Sequence, residues 1–286
     1  LRIGFKRMED GAMATTDLTA IGVRSLVLLG CGKMGGALLE GWLKGGLSPA
    51  RVQVIDPYPS DWLMRQAALG VTVNPGALAP ATVAVIAVKP QMMAAAAPGL
   101  AVLAGQGTVF LSIAAGTPIA AFEAMFGAAT PIIRAMPNTP AAVGRGISAL
   151  IGNGAVTEAQ IAMAEALLAA VGQTVRVASE DQMHAVTGLS GSGPAYVFHM
   201  IEAMAEAGAA AGLPADLAMQ LARATVAGAG ALADASPDSA EQLRINVTSP
   251  GGTTAAGLAV LMPALTALMT STVAAAAGRS RELAEK

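Results

Sequence analysis

Aromatic side chains are scarce in this sequence: Phe, Tyr and Trp together make up 3% of its 286 residues. A core must therefore be built from aliphatic side chains, alanine and the 15 methionines. Cysteine occurs once, as Cys31, which excludes an internal disulfide and fits a reducing, cytoplasmic compartment. The two histidines, His184 and His199, are far apart. With a single thiol they make no metal-ligand cluster, so both read as ordinary helix residues and no metal is expected. Charge is sparse and balanced, with 17 basic against 19 acidic residues. That argues against a nucleic-acid partner, because neutralising phosphates requires clustered Lys and Arg.

Leu1 to Ala20 mix charged and small residues without an apolar stretch. This is not a secretory signal, and residues 1–20 are expected to form a disordered leader. Ser249 to Gly278 carry no charge, yet a membrane span needs about twenty strongly apolar residues. This run is interrupted by Thr253, Thr254, Pro263, Thr266, Thr270, Ser271 and Thr272. Leu258, Leu261, Leu265, Leu268 and Met269 recur at helical spacing, which predicts one buried or subunit-interface stripe and no membrane.

What is present is apolar bulk and glycine. Hydrophobic residues make up 54% and charged residues 13%, a balance that suits close-packed helices and not disorder. The most informative stretch is Ser25-Leu-Val-Leu-Leu-Gly30-Cys31-Gly32-Lys33-Met34-Gly35. A strand-length apolar run stops at the first glycine of G-x-G-x-x-G, and a helical pattern follows at once. In a dinucleotide-binding turn Gly30 allows the sharp reversal and Gly32 lets backbone approach a pyrophosphate. Gly35 lets the helix pack against the strand. The first turn of that helix then aims N–H groups at phosphate oxygens.

Residues 25 to about 178 alternate strand-like and helical segments. Strands are expected at Leu26–Leu29, Val52–Ile55, Val83–Val88, Val109–Ser112, Ile132–Met136, Ser148–Ile151 and Thr174–Val177. Helices are expected at Gly35–Gly45, Ser60–Leu69, Pro118–Phe126 and Glu158–Val171. The alternation predicts an α/β fold with a Rossmann-like, doubly wound parallel sheet and right-handed crossovers. After Val177 the chain reads as helix after helix: 181–188, 192–212, 214–235, 239–246 and 253–284. A dinucleotide-binding domain over 21–178 and an all-helical domain over 179–286 are therefore expected. Helices apolar on more than one side need a partner, which predicts a homodimer through the second domain.

Ligands of such sheets bind at the carboxyl ends of the strands. Asp56 lies 21 residues after Gly35, where a carboxylate meets the adenosine ribose and repels a 2′-phosphate, favouring NAD over NADP. A turn aspartate before Pro57 is the plainer alternative. Asn74 before Pro75 suits a ribose contact or an Asn-Pro turn equally. Lys89, in Ala87-Val88-Lys89-Pro90, is placed to approach a phosphate or carboxylate. Ser112-Ile-Ala114-Ala115-Gly116 leaves room for a flat ring, and Arg134 is either functional or bonded to loop carbonyls. In the helical half, Thr187-Gly-Leu-Ser-Gly-Ser-Gly-Pro-Ala-Tyr196 ends one helix and begins another. Asn246-Val-Thr-Ser249-Pro-Gly251-Gly252-Thr253-Thr254 offers hydroxyls and N–H groups at a helix start, which makes a carboxylate receptor.

Taken in order, Gly30-x-Gly32-x-Met34-Gly35, Val88-Lys89-Pro90, Ala114-Ala115-Gly116, Met136-Pro-Asn-Thr-Pro140, Thr187–Tyr196 and Val247–Thr254 resemble the pyrroline-5-carboxylate reductases, from about residue 25 to residue 283. The last two motifs are highly specific to that family. The resemblance implies reduction of the C=N bond of 1-pyrroline-5-carboxylate to L-proline with NADPH or NADH. It also implies a Rossmann domain, a helical dimerisation domain, and dimers that often assemble into rings. By the same resemblance, cofactor contacts fall at Leu29, Gly30, Cys31, Gly32, Lys33, Met34, Asn74, Ala87, Val88, Lys89, Pro90, Ala114 and Ala115, with Asn246 near the nicotinamide. Substrate contacts fall at Ser249, Gly251, Gly252, Thr253 and Thr254. Asp56 stands where NADP-preferring members carry small or hydroxyl residues, and Ile245 where members commonly carry an acid. The Ser236–Glu241 linker does not align cleanly.

For such a reduction the expected roles are few. Thr254 bonds the ring nitrogen, Ser249 with the N–H groups of Gly252 and Thr253 holds the carboxylate, and Lys89 lends positive charge. A β-hydroxyacid dehydrogenase would share the first half of the chain, but those enzymes use a lysine on the interdomain helix, and residues 181–212 contain none. A nucleotide-sensing protein without catalysis is the alternative from another class.

Overall fold

A computed structural model describes residues 22–284. The leader expected over 1–20 lies outside the described residues. Eight strands form one sheet: β1 (Leu26–Leu29), β2 (Val52–Ile55), β3 (Thr72–Val73), β4 (Val83–Ile86), β5 (Val109–Ser112), β6 (Ile132–Met136), β7 (Gly146–Gly152) and β8 (Gly172–Arg176). Among the described residues ten α-helices accompany them: α1 (Lys33–Lys44), α2 (Asp61–Ala68), α3 (Met93–Ala96), α4 (Ile119–Phe126), α5 (Glu158–Ala169), α6 (Gln182–Val186), α7 (Gly193–Ala210), α8 (Ala215–Ala235), α9 (Ala240–Asn246) and α10 (Thr253–Ala284). The strand order is β3-β2-β1-β4-β5-β6-β7-β8. The chain thus leaves β1 toward one edge and returns to its other side at β4, which makes the ends of β1 and β4 a topological switch point.

All pairings are parallel except β6 with β7. That reversal corrects the expectation of a wholly parallel sheet, and its cause is length. Nine residues, 137–145, join the two strands, too few for a helical crossover. They form a single 3₁₀ stretch, Thr139–Val143. The Asn138 carboxamide oxygen fastens this link by accepting from the Ile147 N–H at 2.9 Å.

Side chains alternate across the sheet, so each strand serves two cores. Leu26 and Leu28 point into one, with Leu38, Leu39 and Trp42 of α1 and Met163, Leu167 and Leu168 of α5. Val27 and Leu29 point into the other, with Met93, Leu100, Phe122 and Phe126. The Trp42 indole donates to the Leu167 carbonyl at 2.8 Å, so α1 and α5 are joined by a buried hydrogen bond. Two of the few aromatics stack in the second core, Phe110 on Phe126 with centroids 4.3 Å apart. Full burial of each such side chain contributes roughly 1.5–3 kcal/mol.

The described chain divides into two compact units, one reaching Thr187 and including Arg279 onward, the other Gly188 to Gly278. In the first, Arg134 on β6 is 3% exposed. Its guanidinium lies 2.7 Å from the Glu180 carboxylate, and the same oxygen accepts from the Ile119 N–H at 2.8 Å. One carboxylate thus neutralises a buried cation and caps the start of α4. Nearby, His184 Nδ1 lies 3.0 Å from Ser280 Oγ in the last turns of α10.

The second unit has almost no core of its own. Its buried side chains are alanines: Ala205, Ala218, Ala222 and Ala277. Phe198, Leu232, Val260 and Leu268 are more than half exposed. Leu261 and Leu268, expected in a buried stripe, are 50% and 62% exposed. Helix α10 is long and apolar enough to cross a membrane, and no residue of its most apolar stretch is buried within the chain.

Two outcomes test the first unit. Glu180→Ala strands the Arg134 charge and uncaps α4, and should lower unfolding free energy by about 3 kcal/mol in urea titrations. His184 is held below its ordinary pKa of 6.5 by burial and by the charges of Arg134 and Arg281, against a partial offset from Asp181 and Glu180. A depressed histidine pKa favours the neutral folded form. Its stabilisation is complete above pH 6.5 and is lost as the pH falls through the lowered value. The urea midpoint should therefore drop from pH 7.5 to pH 5.5, and His184→Gln should flatten that slope.

Candidate functional site

The glycine turn is built as its spacing predicts, with α1 starting at Lys33, two residues before the expected Gly35. Gly30 has φ +90°. A Cβ there would lie 2.9 Å from Val88 Cγ1 and 3.0 Å from the Ala87 carbonyl oxygen. A Cβ on Gly35 would collide with the Gly30 carbonyl oxygen. The turn is tied to its neighbours by Gly30 N–H to the Ile55 carbonyl and Ala87 N–H to the Leu29 carbonyl, both 2.8 Å. Leu29 and Cys31 are buried, Met34 is half-buried, and Gly32 and Lys33 are exposed. No side chain caps α1, and its first turn holds no acid. A Cβ on Gly32 would meet nothing within 4 Å. The N–H groups at this helix start therefore face open space and fit the pyrophosphate of a dinucleotide.

Asp56, at the end of β2, is bonded to that turn. Its Oδ2 accepts from the Cys31 N–H at 2.7 Å, and its Oδ1 from the Tyr58 N–H at 2.8 Å. Asn74 holds the backbone of Asp56 reciprocally: its Oδ1 accepts from the Asp56 N–H at 2.9 Å, and its Nδ2 donates to the Asp56 carbonyl at 2.7 Å. Asn74 takes φ +50° to do so, alone in that region among non-glycine described residues. Burial, reinforced by the Asp56 charge, pushes the Cys31 thiol up to about 11. The thiol stays protonated at neutral pH and is no nucleophile.

The next strand ends lie beside these. Ala87 and Val88 follow β4, and Lys89 precedes a short 3₁₀ turn opened by Pro90. Lys89 and Pro90 are exposed. After β5, the Ser112 hydroxyl accepts from the Ala114 N–H at 3.2 Å; Ala114 is buried and Ala115 exposed. The sheet order β2-β1-β4-β5 gathers Asp56, the glycine turn, Lys89 and Ala115 at one end of the sheet. Arg134 is held by its ion pair with Glu180. Glu180 itself escaped sequence reasoning, because nothing local marks an acid whose partner lies 46 residues away.

In the second unit, Ser249–Gly252 form the turn that opens α10. The Gly252 N–H donates to the Ser249 carbonyl at 3.0 Å, so the donor assigned to a substrate carboxylate already closes the turn. Thr253 and Thr254 begin the helix, and their N–H groups have no partner in a preceding helical turn. Ser249, Gly251, Thr253 and Thr254 are exposed and Gly252 half-buried. Asn246 ends α9, where its amide accepts from Gln242 at 2.7 Å and donates toward Asp238 at 3.4 Å. Thr187–Gly191 is wound as a π-turn and not as a break between helices. The Tyr196 hydroxyl holds it by donating to the Gly188 carbonyl at 3.1 Å, and such wide turns often occur at functional sites.

Comparison with known proteins agrees with this arrangement. Residues 180–283 match the family model described as pyrroline-5-carboxylate reductase dimerisation. Residues 25–116 match one described as NADP oxidoreductase coenzyme F420-dependent. A pyrroline-5-carboxylate reductase of Pseudomonas aeruginosa is 38% identical over 265 residues, covering 91% of this chain and 97% of that protein. The structure of a pyrroline-5-carboxylate reductase from Coxiella burnetii superposes with a TM-score of 0.86 at 35% identity, covering 93% of this chain and all of the other. That of the Plasmodium falciparum enzyme with NADP bound gives 0.76 at 26% identity, over 92% and 98% of the two chains. With motifs, fold and near-full-length similarity in agreement, the chain belongs to the pyrroline-5-carboxylate reductase family.

Proposed function

We propose that this protein reduces the C=N bond of 1-pyrroline-5-carboxylate to L-proline, the last step of proline biosynthesis, using NADPH or NADH. The observation that carries the reading is the uncapped, acid-free start of α1, in a chain with 38% identity to such a reductase over nearly its whole length. The N–H groups around Gly32, Lys33 and Met34 would hold the pyrophosphate, with Lys89 adding positive charge. Asp56 would meet the ribose, and Asn74 would hold Asp56 while keeping one N–H and one lone pair for the same sugar. Ala87, Val88, Ala114 and Ala115 are small or buried, so a flat ring can lie against them.

When bound, the reduced nicotinamide supplies a hydride, and the protein supplies position. The imine is most electrophilic when its nitrogen is protonated. We assign Thr254 the task of keeping that proton in place through its hydroxyl. The Ser249 hydroxyl and the Thr253 N–H would take the substrate carboxylate at the positive start of α10. The reaction requires donor and acceptor carbons to be held in contact.

The match to a dimerisation family over residues 180–283 makes the protein a homodimer. The proposal adds that a second copy covers α10, in preference to a lipid bilayer. The threonines and Pro263 along that helix support this. Dimers assembled into a ring, a cytoplasmic location and the division into domains at residues 178–179 belong to the same reading.

Three measurements test it. Mixing the protein with pyrroline-5-carboxylate and reduced cofactor should consume the cofactor absorbance; no loss with NADH or NADPH refutes the activity. Thr254→Ala removes one neutral hydrogen bond of roughly 0.5–1.5 kcal/mol and should cut kcat/KM by about 2- to 12-fold. Unchanged kinetics would remove Thr254 from the mechanism. Light scattering should give an even multiple of the 28.3 kDa chain mass, twice for the dimer alone and more for a ring of dimers, and Leu261→Asp with Leu268→Asp should yield an inactive monomer.

A further inference from the structure

The end of β2 carries a negative charge that has nowhere else to go. Both Asp56 oxygens accept from backbone N–H groups, Cys31 at 2.7 Å and Tyr58 at 2.8 Å. The Asn74 amide clamps the Asp56 backbone on both sides. Neutral donors fix a carboxylate in place without cancelling its charge. An ionised carboxylate offers about four lone-pair sites, so two stay open for the hydroxyls of an adenosine ribose. From Asp56 to Trp62 the chain reads Asp-Pro-Tyr-Pro-Ser-Asp-Trp, with a second acid and no Lys or Arg. Asp61 stands in the first turn of α2, which Ser60 already caps through the Leu63 N–H. The cation in the glycine turn, Lys33, opens α1 and belongs with the pyrophosphate.

From the clamped Asp56 we infer that this reductase selects NADH over NADPH, with Asp56 as the residue that sets the preference. The inference deepens the proposed activity and rests on it only for the identity of the hydride acceptor. A 2′-phosphate brings roughly two negative charges and removes the hydroxyl that would donate to the carboxylate. The clamp prevents Asp56 from swinging aside to relieve the repulsion, since doing so breaks its bond to the glycine turn. Selection therefore comes from a repulsive element built against the wrong cofactor as well as from contacts to the right one.

The test is a paired kinetic and binding measurement. At saturating pyrroline-5-carboxylate, kcat/KM should be at least about tenfold higher with NADH than with NADPH, and the ratio should narrow as salt screens the repulsion. Calorimetric titration of the protein alone should rank the two cofactors the same way. Equal or reversed ranking in that titration overturns the inference, even if no turnover is seen. Turnover with neither cofactor refutes the reductase reading and leaves the binding comparison to decide this one. Asp56→Ser should shift the ratio toward NADPH by about tenfold. Because that change also frees the Cys31 N–H, Pro57→Arg serves as a second variant, adding a cation while leaving both Asp56 bonds in place. It should shift the ratio in the same direction, and an unchanged ratio in both variants overturns the assignment.

Discussion

The first helix passes so close to the end of β1 that position 35 has no space for a Cβ, because the Gly30 carbonyl oxygen lies where it would go. That approach sets the rest of the cofactor end. It turns the chain at Gly30 and leaves the N–H groups of the first turn of α1 pointing into open space. It also brings Cys31 within reach of Asp56, which through Asn74 fixes the tip of β2. One backbone contact thus aligns a charge receptor and a charge. Few side chains are needed, which agrees with a sequence so poor in charged and aromatic residues.

The sheet unit and the helical unit are stabilised in different ways. The sheet buries continuous strands on two faces, with Trp42, Phe110 and Phe122 wholly enclosed. The helical unit buries alanines, each of which removes little apolar area from water, and leaves Leu, Met and Phe outward. At about 25 cal/mol per Å², such a unit cannot offset its chain entropy alone. The dimerisation family match falls on that same segment.

Much of this was legible in the sequence, and the exceptions share a cause. The bounds expected for β1, β2, β5 and β6 are those found, because each is a short, mostly apolar stretch rich in Val, Ile or Leu between helical segments. β3 was missed since it spans two residues at the sheet edge, too short for any periodicity. The region Pro90–Leu103 was passed over because Pro90, Pro98 and Gly99 break its pattern into short 3₁₀ and α pieces. The antiparallel turn at β7 was hidden because hydrophobicity records burial and not direction. Local motifs also marked Gly30–Gly35, Asp56 and Ser249–Thr254 as the candidate site. The Asp56–Cys31 and Arg134–Glu180 bonds link residues 25 and 46 apart, and only the folded chain brings them together.

The two receptors differ in what they depend on. Gly30–Gly35 and Asp56 are supported by a sheet that is complete within one chain. Ser249–Thr254 head α10, whose most apolar stretch has no buried residue in its own chain. In the proposed dimer the cover is the second subunit, and the consequence is directional. On the proposed assignment, loss of the dimer weakens the substrate corner first and leaves dinucleotide binding largely intact, because each receptor rests on its own scaffold. Under that assignment assembly and catalysis are coupled without any residue carrying a signal between them.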